Sequence, residues 1–351
     1  MDVIQPLIPL RHPNRDFFVL DIAAASPRGD MAGMEFPFFA LGTQPDARER
    51  EYRRGDVILR VIPSVRGMAT VFDRDILLYC ISQLMARKNA GLPIGKVVQF
   101  NAYDMLVSTN RQTDGDGYKR LEQALTRLRG TTFQTTIKTG GQANARVFGM
   151  IESADILRKE PVSGRMVAVE VVLSDFLFRA IESNQVLPIH RDYFRLRSPV
   201  DRRLYELARK HCGSQPQWSI TLDLLKDKVA FSSNVRKLRA HVRQLAASQH
   251  LPDYTVEIAD DVVTLRARAE ESPAPPLAEA PPPPAAKTAE MPRRILISAA
   301  AMERVGDLAP GWDKYYLEAA YRDYFADKDP AKNEDARFLA WVPSFVKGRK
   351  P

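Results

Sequence analysis

The sequence predicts an α+β protein: two winged-helix domains, then a Pro-rich linker and a small helical or partly disordered C-terminal segment. Three observations predict it. The order helix, helix, helix, β-hairpin occurs twice, the third helix of each copy sets a basic face beside its apolar stripe, and a Pro/Ala-rich stretch follows the second copy. At about 150 residues per domain, the 351-residue length suits two domains with an appendage. Hydrophobic residues make up 45% and charged residues 27%, which supplies real cores and excludes a wholly disordered chain.

In the first copy, Thr70-Val-Phe-Asp73 reads as a capping box. It opens a helix with Ile76, Leu77, Cys80, Ile81, Leu84 and Met85 on one stripe, ended by Gly91-Leu-Pro93. An extended run, Lys96 to Phe100, leads to a second helix from Asn101-Ala-Tyr-Asp104 through Met105, Leu106 and Val107. A third helix runs from Tyr118 to Arg129 with Leu121, Leu125 and Leu128 inward. The alternation Phe133/Thr135/Ile137 and the pair Gly140-Gly141 then read as the hairpin, or wing.

The second copy is shorter. Ser198-Pro199-Val200-Asp201 sets proline at the first helical position, and the helix continues through Leu204, Leu207 and Ala208 to Gly213. Thr221-Leu-Asp223 starts a short helix with Leu224, Leu225 and Val229. Ser232 or Ser233 caps a third helix whose apolar residues are Val235, Leu238, Val242 and Leu245. The run from Tyr254 to Arg268 alternates around Ala259-Asp260-Asp261 as a second hairpin.

Other segments read less regularly. Asp16–Leu20, Val57–Ile62 and Met166–Leu173 have strand character, SDFLFRAIE that of a helix, and MEFPFFAL that of an apolar loop. The expected divisions are 1–188, 189–270, a linker over 271–292, and a tail over 293–351. The linker favours polyproline II and acts as a spacer. The tail holds Trp312, Tyr315, Tyr316, Tyr321, Tyr324, Phe325, Phe338, Trp341 and Phe345, too aromatic for pure disorder, so a few short helices are expected.

Several function classes are excluded or disfavoured. Two isolated cysteines, Cys80 and Cys212, without C-x-x-C, fit a reducing cytoplasm rather than a disulfide framework or thiolate metal site. The N-terminus lacks a signal-peptide layout, and no apolar run approaches the roughly 18 residues of a membrane span. A soluble cytoplasmic protein with no membrane association is expected. His12, His190, His211, His241 and His250 form neither H-x-H nor H-E-x-x-H, so a metal-dependent nicking or protease site lacks its ligands. Gly91-Leu-Pro-Ile-Gly95-Lys96 is one residue short of a P-loop and has Val97 where Ser/Thr is needed. His211 beside Cys212 reads as a helix end. The chain is expected not to be an enzyme, with no catalytic residue, cofactor or metal.

Nucleic acid is the partner that the charge pattern permits. Formal net charge is +8, and what matters is its placement. In the second copy's third helix, Ser232, Arg236, Arg239 and Arg243 fall on one face beside the apolar stripe, with Lys237 to one side. Such a helix buries one stripe and offers the other to the major groove. There arginine grips guanine or phosphate, and short side chains such as Ser233 and Asn234 allow close approach. The first copy's third helix offers Tyr118, Lys119, Arg120, Gln123, Arg127 and Arg129, and its hairpin carries Lys138 and Arg146. That hairpin suits phosphate contact or pairing with another protomer. The acidic turn Asp260-Asp261 argues against phosphate at the second wing's tip, leaving Arg266 or Arg268 for any contact there.

Five stretches carry a family resemblance: Asp16-Phe-Phe-Val-Leu-Asp21, MEFPFFALGTQPD, IPSVRGMATVFDRDILLYCISQL, RLRSPVDRRLYELARKHCG and SSNVRKLRAHVRQL. They resemble the plasmid replication initiator protein A family over about residues 14–268, most specifically around 62–85. The resemblance implies tandem winged helices that bind directly repeated sites in double-stranded origin DNA. It implies opening of nearby A·T-rich DNA with host replication initiator and helicase-loading proteins, without nucleotide hydrolysis. It further implies a monomer–dimer equilibrium, the first winged helix serving dimerisation as well as DNA contact. Arg236, Lys237, Arg239 and Arg243 correspond to the second reading helix, and Tyr118, Lys119 and Arg120 to the first. A winged-helix transcriptional repressor is the alternative, and a rolling-circle nicking enzyme is disfavoured by the missing histidine motif.

Overall fold

The computed structural model describes residues 7–13, 26–42, 46–140, 146–158, 166–213, 215–268 and 333–347, and positions 297, 301, 304, 305, 308, 309, 317, 320, 321, 324, 325 and 331. In chain order the elements begin with β1 (Arg28–Asp30), α1 (Met31–Glu35), β2 (Arg50–Arg54) and β3 (Val57–Ile62). The first repeated unit follows: α2 (Arg74–Asn89), β4 (Val97–Asn101), α3 (Ala102–Ser108), α4 (Gly115–Gly130), β5 (Thr132–Thr135), β6 (Arg146–Phe148), β7 (Ile151–Arg158) and β8 (Met166–Leu173). The connection comprises α5 (Asp175–Glu182), β9 (Val186–Pro188) and a 3-10 turn over Arg191–Arg195. The second unit comprises α6 (Pro199–His211), β10 (Gln217–Thr221), α7 (Leu222–Val229), α8 (Val235–Ser248), β11 (Tyr254–Ala259) and β12 (Val262–Ala267). Among the described residues no helix is long and apolar enough to cross a membrane.

Capping chemistry sets the helix starts. Thr70 and Asp73 form the reciprocal box: Asp73 N–H donates to Thr70 Oγ1 (3.2 Å) and Thr70 N–H to Asp73 Oδ2 (2.9 Å). Asn101 Oδ1 accepts from Tyr103 N–H, and Ser198 Oγ from Asp201 N–H ahead of Pro199. The second unit's third helix is capped by Asn234, whose Oδ1 accepts from Lys237 N–H at 3.0 Å, and not by Ser232 or Ser233. Of the apolar residues of α7, Leu225 and Val229 are buried and Leu224 is 59% exposed.

Both units repeat one sheet order. β4-β8-β7 and β10-β12-β11 are antiparallel, each with the strand between first and second helix paired to the last strand. The hairpin expected as the first wing forms, since Phe133 faces Phe148 and Thr135 faces Arg146. It belongs instead to the four-stranded sheet β2-β3-β5-β6, because β5 pairs with β3, far upstream. The hairpin following α4 on the unit's own sheet is β7–β8. Lys138 and Arg146 therefore lie outside it. Local alternation identifies a hairpin but not the sheet that receives it.

One hydrophobic core runs through both units from Met34 to Leu265, and residues 1–271 form one compact unit. Within it lies a lattice of buried charges. The Arg74 guanidinium meets Asp30 at 2.9 Å and Glu206 at 2.6 Å, and Arg203 meets Glu206 at 3.0 Å. Arg202 meets Asp75 at 2.7 Å, and Tyr193 O–H donates to Glu206 at 2.6 Å. Burial alone lowers the Arg74 pKa, but Glu206 and Asp30 outweigh it and raise it. Gly33 allows this closeness: a Cβ there would sit 2.6 Å from Arg74 Nη2. Removing one partner strands the others without water. Glu206→Ala is expected to cost about 3–5 kcal/mol, read as a lowered urea midpoint with unchanged slope.

A second, partly buried charge cluster ties α1 to the second unit. Glu35 accepts from Lys228 Nζ and, at 2.8 Å, from His211 Nε2, whose ring stacks on Trp218. Burial raises the Glu35 carboxyl, but the bonds from His211 and Lys228 prevail and bring it from 4.5 to about 2. A depressed carboxylate pKa favours the folded state above its unfolded value, and that contribution disappears as pH falls through the folded one. Acid unfolding curves of wild type and Glu35→Gln should therefore diverge above pH 4.5 and converge as pH falls toward 2.

The C-terminal unit, residues 272–351, has its own small core: Val305, Leu317, Tyr321, Phe338 and Val342. α9 (Glu334–Val346) is capped by Asn333, and Tyr321 O–H donates to Glu334 at 2.8 Å. The expected linker over 271–292, the strand at Asp16–Leu20, and Trp312, Tyr315 and Tyr316 lie outside the described residues.

Candidate nucleic-acid interface

α8 is the most clearly two-sided basic helix. Leu238, Val242 and Leu245 are fully buried, while Val235 is half-buried. On the opposite side Arg236, Ala240, Arg243 and Ala247 form one exposed line at spacings of four, three and four. Lys237 and Gln244 are exposed on one shoulder, and Arg239 occupies the other. Arg236, Lys237 and Arg243 make no ion pair among the described residues. Ala240 between the two arginines and Ala247 beyond them leave the backbone accessible to a groove. The helix is fastened from behind: Asp201 of α6 bonds His241 at 2.6 Å and His250 at 2.9 Å.

Arg239 differs from its neighbours. It clasps Asp261 in the β11–β12 turn through Nε (2.7 Å) and Nη2 (2.6 Å). Arg266 is also engaged, bonding Glu257 and Gln217 across its sheet, and Arg268 donates to Gln249 O. Ser232 is exposed at the α7–α8 turn and lines a cleft of about 550 Å³, shared with Arg48, Arg50 and Arg53 on or beside β2. Ser233 is half-buried, and Asn234 is exposed as the cap. The arginines of the REYRR strand were not singled out from sequence, although the run of four arginines in 48–54 is visible there. Most of that charge is locally neutralised: Arg48 and Arg50 bond Asp46, and Arg53 bonds Glu51.

The expected residues of α4 divide into two groups. Lys119 and Gln123 are exposed, as is Arg120, which donates to Gln112. Tyr118 is half-buried against the core. Arg127 faces inward and holds Asp73 in two bonds of 2.7 Å, so it braces the α2 capping box and is not a free surface cation. Gly117 lets α4 start tightly, since a Cβ there would lie 1.9 Å from Gln112 O. Arg120, Gln123 and Arg127 line a groove of about 580 Å³ together with Arg11, Arg111, Arg197 and Arg202. Arg11 and Arg197 are exposed additions to the basic surface. Their isolation in sequence hid them; the bridge between Leu7 and Leu196, with Arg195 Nε donating to Ile8 O at 3.0 Å, brings the two segments together. Lys138 is exposed beyond β5, while Arg146 is half-buried on β6, beside a cavity of about 450 Å³ with Arg129 and Arg179.

A family model described as replication initiator protein A matches residues 28–256, which contain the first unit, both basic helices and the second unit as far as the start of β11. The chain belongs to the replication initiator protein A family. A putative replication protein of Wigglesworthia glossinidia brevipalpis is 34% identical over 259 residues, covering 72% of this chain and 94% of the relative. Among solved structures, domains 2 and 3 of RctB align at a TM-score of 0.47 with 13% identity, covering 68% of this chain and 98% of that one. The Pi initiator protein in complex with iteron DNA aligns at 0.37 with 13% identity, covering 62% and 99%.

On α4 the placement of Arg127 separates bracing from surface charge. Arg127→Ala leaves Asp73, 5% exposed, without its main partner, and should cost about 3 kcal/mol in chemical denaturation. Lys119→Ala removes an exposed cation from a helix and should change stability by under about 0.5 kcal/mol.

Proposed function

We propose that this chain is a sequence-specific, double-stranded DNA-binding initiator of plasmid replication, working through two winged-helix units in the cytoplasm. The observation that carries the reading is α8. It is the third helix of a helix–strand–helix–helix–hairpin unit, buried on one face and presenting Arg236, Lys237 and Arg243 without ion-pair partners among the described residues on the other. Membership of the family supports the assignment to replication rather than to repression. α4, with Lys119, Arg120 and Gln123, is the second reading helix of this proposal. Binding to directly repeated origin sites, opening of adjacent A·T-rich DNA, and recruitment of host initiator and helicase-loading proteins complete it. A monomer–dimer equilibrium fits the open edges of β6 and β7, each the last strand of its sheet. The protein acts in this reading by binding, not by catalysis.

The test has two parts. The region flanking the gene, cloned with and without this chain supplied, should replicate autonomously only when it is supplied. In titrations on a repeat from that region, Arg236→Ala or Arg243→Ala should weaken binding. A base contact costs about 1–3 kcal/mol and relaxes specificity at one position. A phosphate contact weakens all duplexes alike and lowers the salt slope by about 1. Wild-type binding by these two variants and by Arg239→Ala, all folded, rules out α8 as the reader.

A further inference from the structure

We propose that Asp261, in the turn between β11 and β12, is a positioning residue that fixes Arg239 as the guanine-reading side chain of α8. The inference rests on the reading that α8 enters the DNA groove. Its own evidence is the geometry of the clasp.

The turn has little freedom to move. Asp260 and Asp261 both adopt left-handed backbone conformations (φ 47° and 61°), forming a two-residue hairpin turn closed by the Ala259–Val262 pair. Asp261 O accepts from Leu222 N–H at 2.8 Å, which fastens the turn to the start of α7. Val262 pairs with Thr221 on the other side. The carboxylate is thus presented to α8 from a fixed support.

The bonds it makes select one edge of the guanidinium. Arginine has five N–H donors in a planar fork. Asp261 takes the Nε–H and one Nη2–H. The other Nη2–H and both Nη1–H groups remain, and the free Nη2–H with the adjacent Nη1–H forms the end of the fork, the edge that donates to guanine O6 and N7. The Arg239 side chain remains 27% exposed, so that edge is accessible. Arg236 and Arg243 have no such brace among the described residues, and a swinging arginine finds phosphates as readily as a base edge.

Charge points the same way. Asp260 and Asp261 are exposed acids beside a basic helix, and Asp223 lies close enough to act on Arg239 electrostatically. Toward phosphate these groups are repulsive. Toward a guanine edge, which carries no formal charge, they offer far less opposition. Asp261 therefore weakens indiscriminate binding through Arg239 while leaving base reading open.

The experiment selects binding sites from a random-sequence duplex pool with the full chain, as wild type, Arg236→Ala, Arg239→Ala and Asp261→Asn. Selected and scrambled duplexes are then titrated at several salt concentrations. Asp261→Asn is isosteric and keeps the main-chain bond to Leu222, and circular dichroism melts verify folding. Arg239→Ala should lose a guanine preference at one position by roughly ten- to a hundredfold. Asp261→Asn should reduce the preference at that same position, bind scrambled duplex several-fold more tightly, and steepen the salt slope by about 1 as Arg239 finds a phosphate. Arg236→Ala should retain that preference. If Asp261→Asn keeps the full preference that Arg239→Ala loses, the clasp is only a surface ion pair and this inference fails while the α8 reading stands. If Arg239→Ala keeps every preference, Arg239 reads no base and the inference falls. If none of the proteins enriches a site, the underlying DNA-reading proposal fails as well.

Discussion

Six charged side chains with almost no access to water hold the two units in one body. Arg74, Arg202 and Arg203 are matched by Asp30, Asp75 and Glu206, all 5% exposed or less. Burying any one alone would be prohibitive, and the attraction between partners offsets that cost only when the geometry is complete. The lattice therefore favours one arrangement over near alternatives, because a small shift would separate charges where water cannot replace the lost partner. It draws on β1, on the start of α2 and on α6, so neither unit's core is finished without the other. Arg203 adds bonds to the Gly33 and Met34 carbonyls, fixing α1 in the same frame.

Much of this was legible in the sequence, and what was missed has physical causes. Apolar spacing located α2, α3, α4, α6, α7 and α8, because that signal acts within a few residues, although the cap of α8 is Asn234 and not Ser232 or Ser233. β8 and α5 were likewise marked by their own text. The stripe on α2 implied an amphipathic helix, yet every residue from Arg74 to Met85 is buried. Its polar residues face other polar groups rather than water, and no periodicity can report that. The destination of the 132–148 hairpin was hidden because its deciding partner, β3, lies some seventy residues upstream. The segments that carry the family resemblance, around 62–85 and 195–213, hold Arg74, Asp75, Arg202, Arg203 and Glu206.

The candidate interface shows the same limit in finer detail. Lys119 and Arg127 read alike as basic residues of one helix, and only the position of Asp73 distinguishes a surface cation from a brace. Arg239 and Arg243 share a helix face, but an acid on a neighbouring turn engages one and leaves the other in water. Arg11 and Arg197 join the basic surface through chain topology alone. Acidic residues, which a search for basic stripes passes over, decide how much of the positive charge faces outward.

A shared core with an ionic lattice at its centre also has a consequence for distance. Two helices mounted on such a frame cannot drift apart or rotate independently without exposing unmatched charge inside the protein. On the proposed reading, the protein would behave as a caliper. It would register the phase of the double helix between two contact points as strictly as the bases at either one. Adding half a helical turn of DNA between those points would then present the second helix with the wrong side of the duplex, however well each sequence fits.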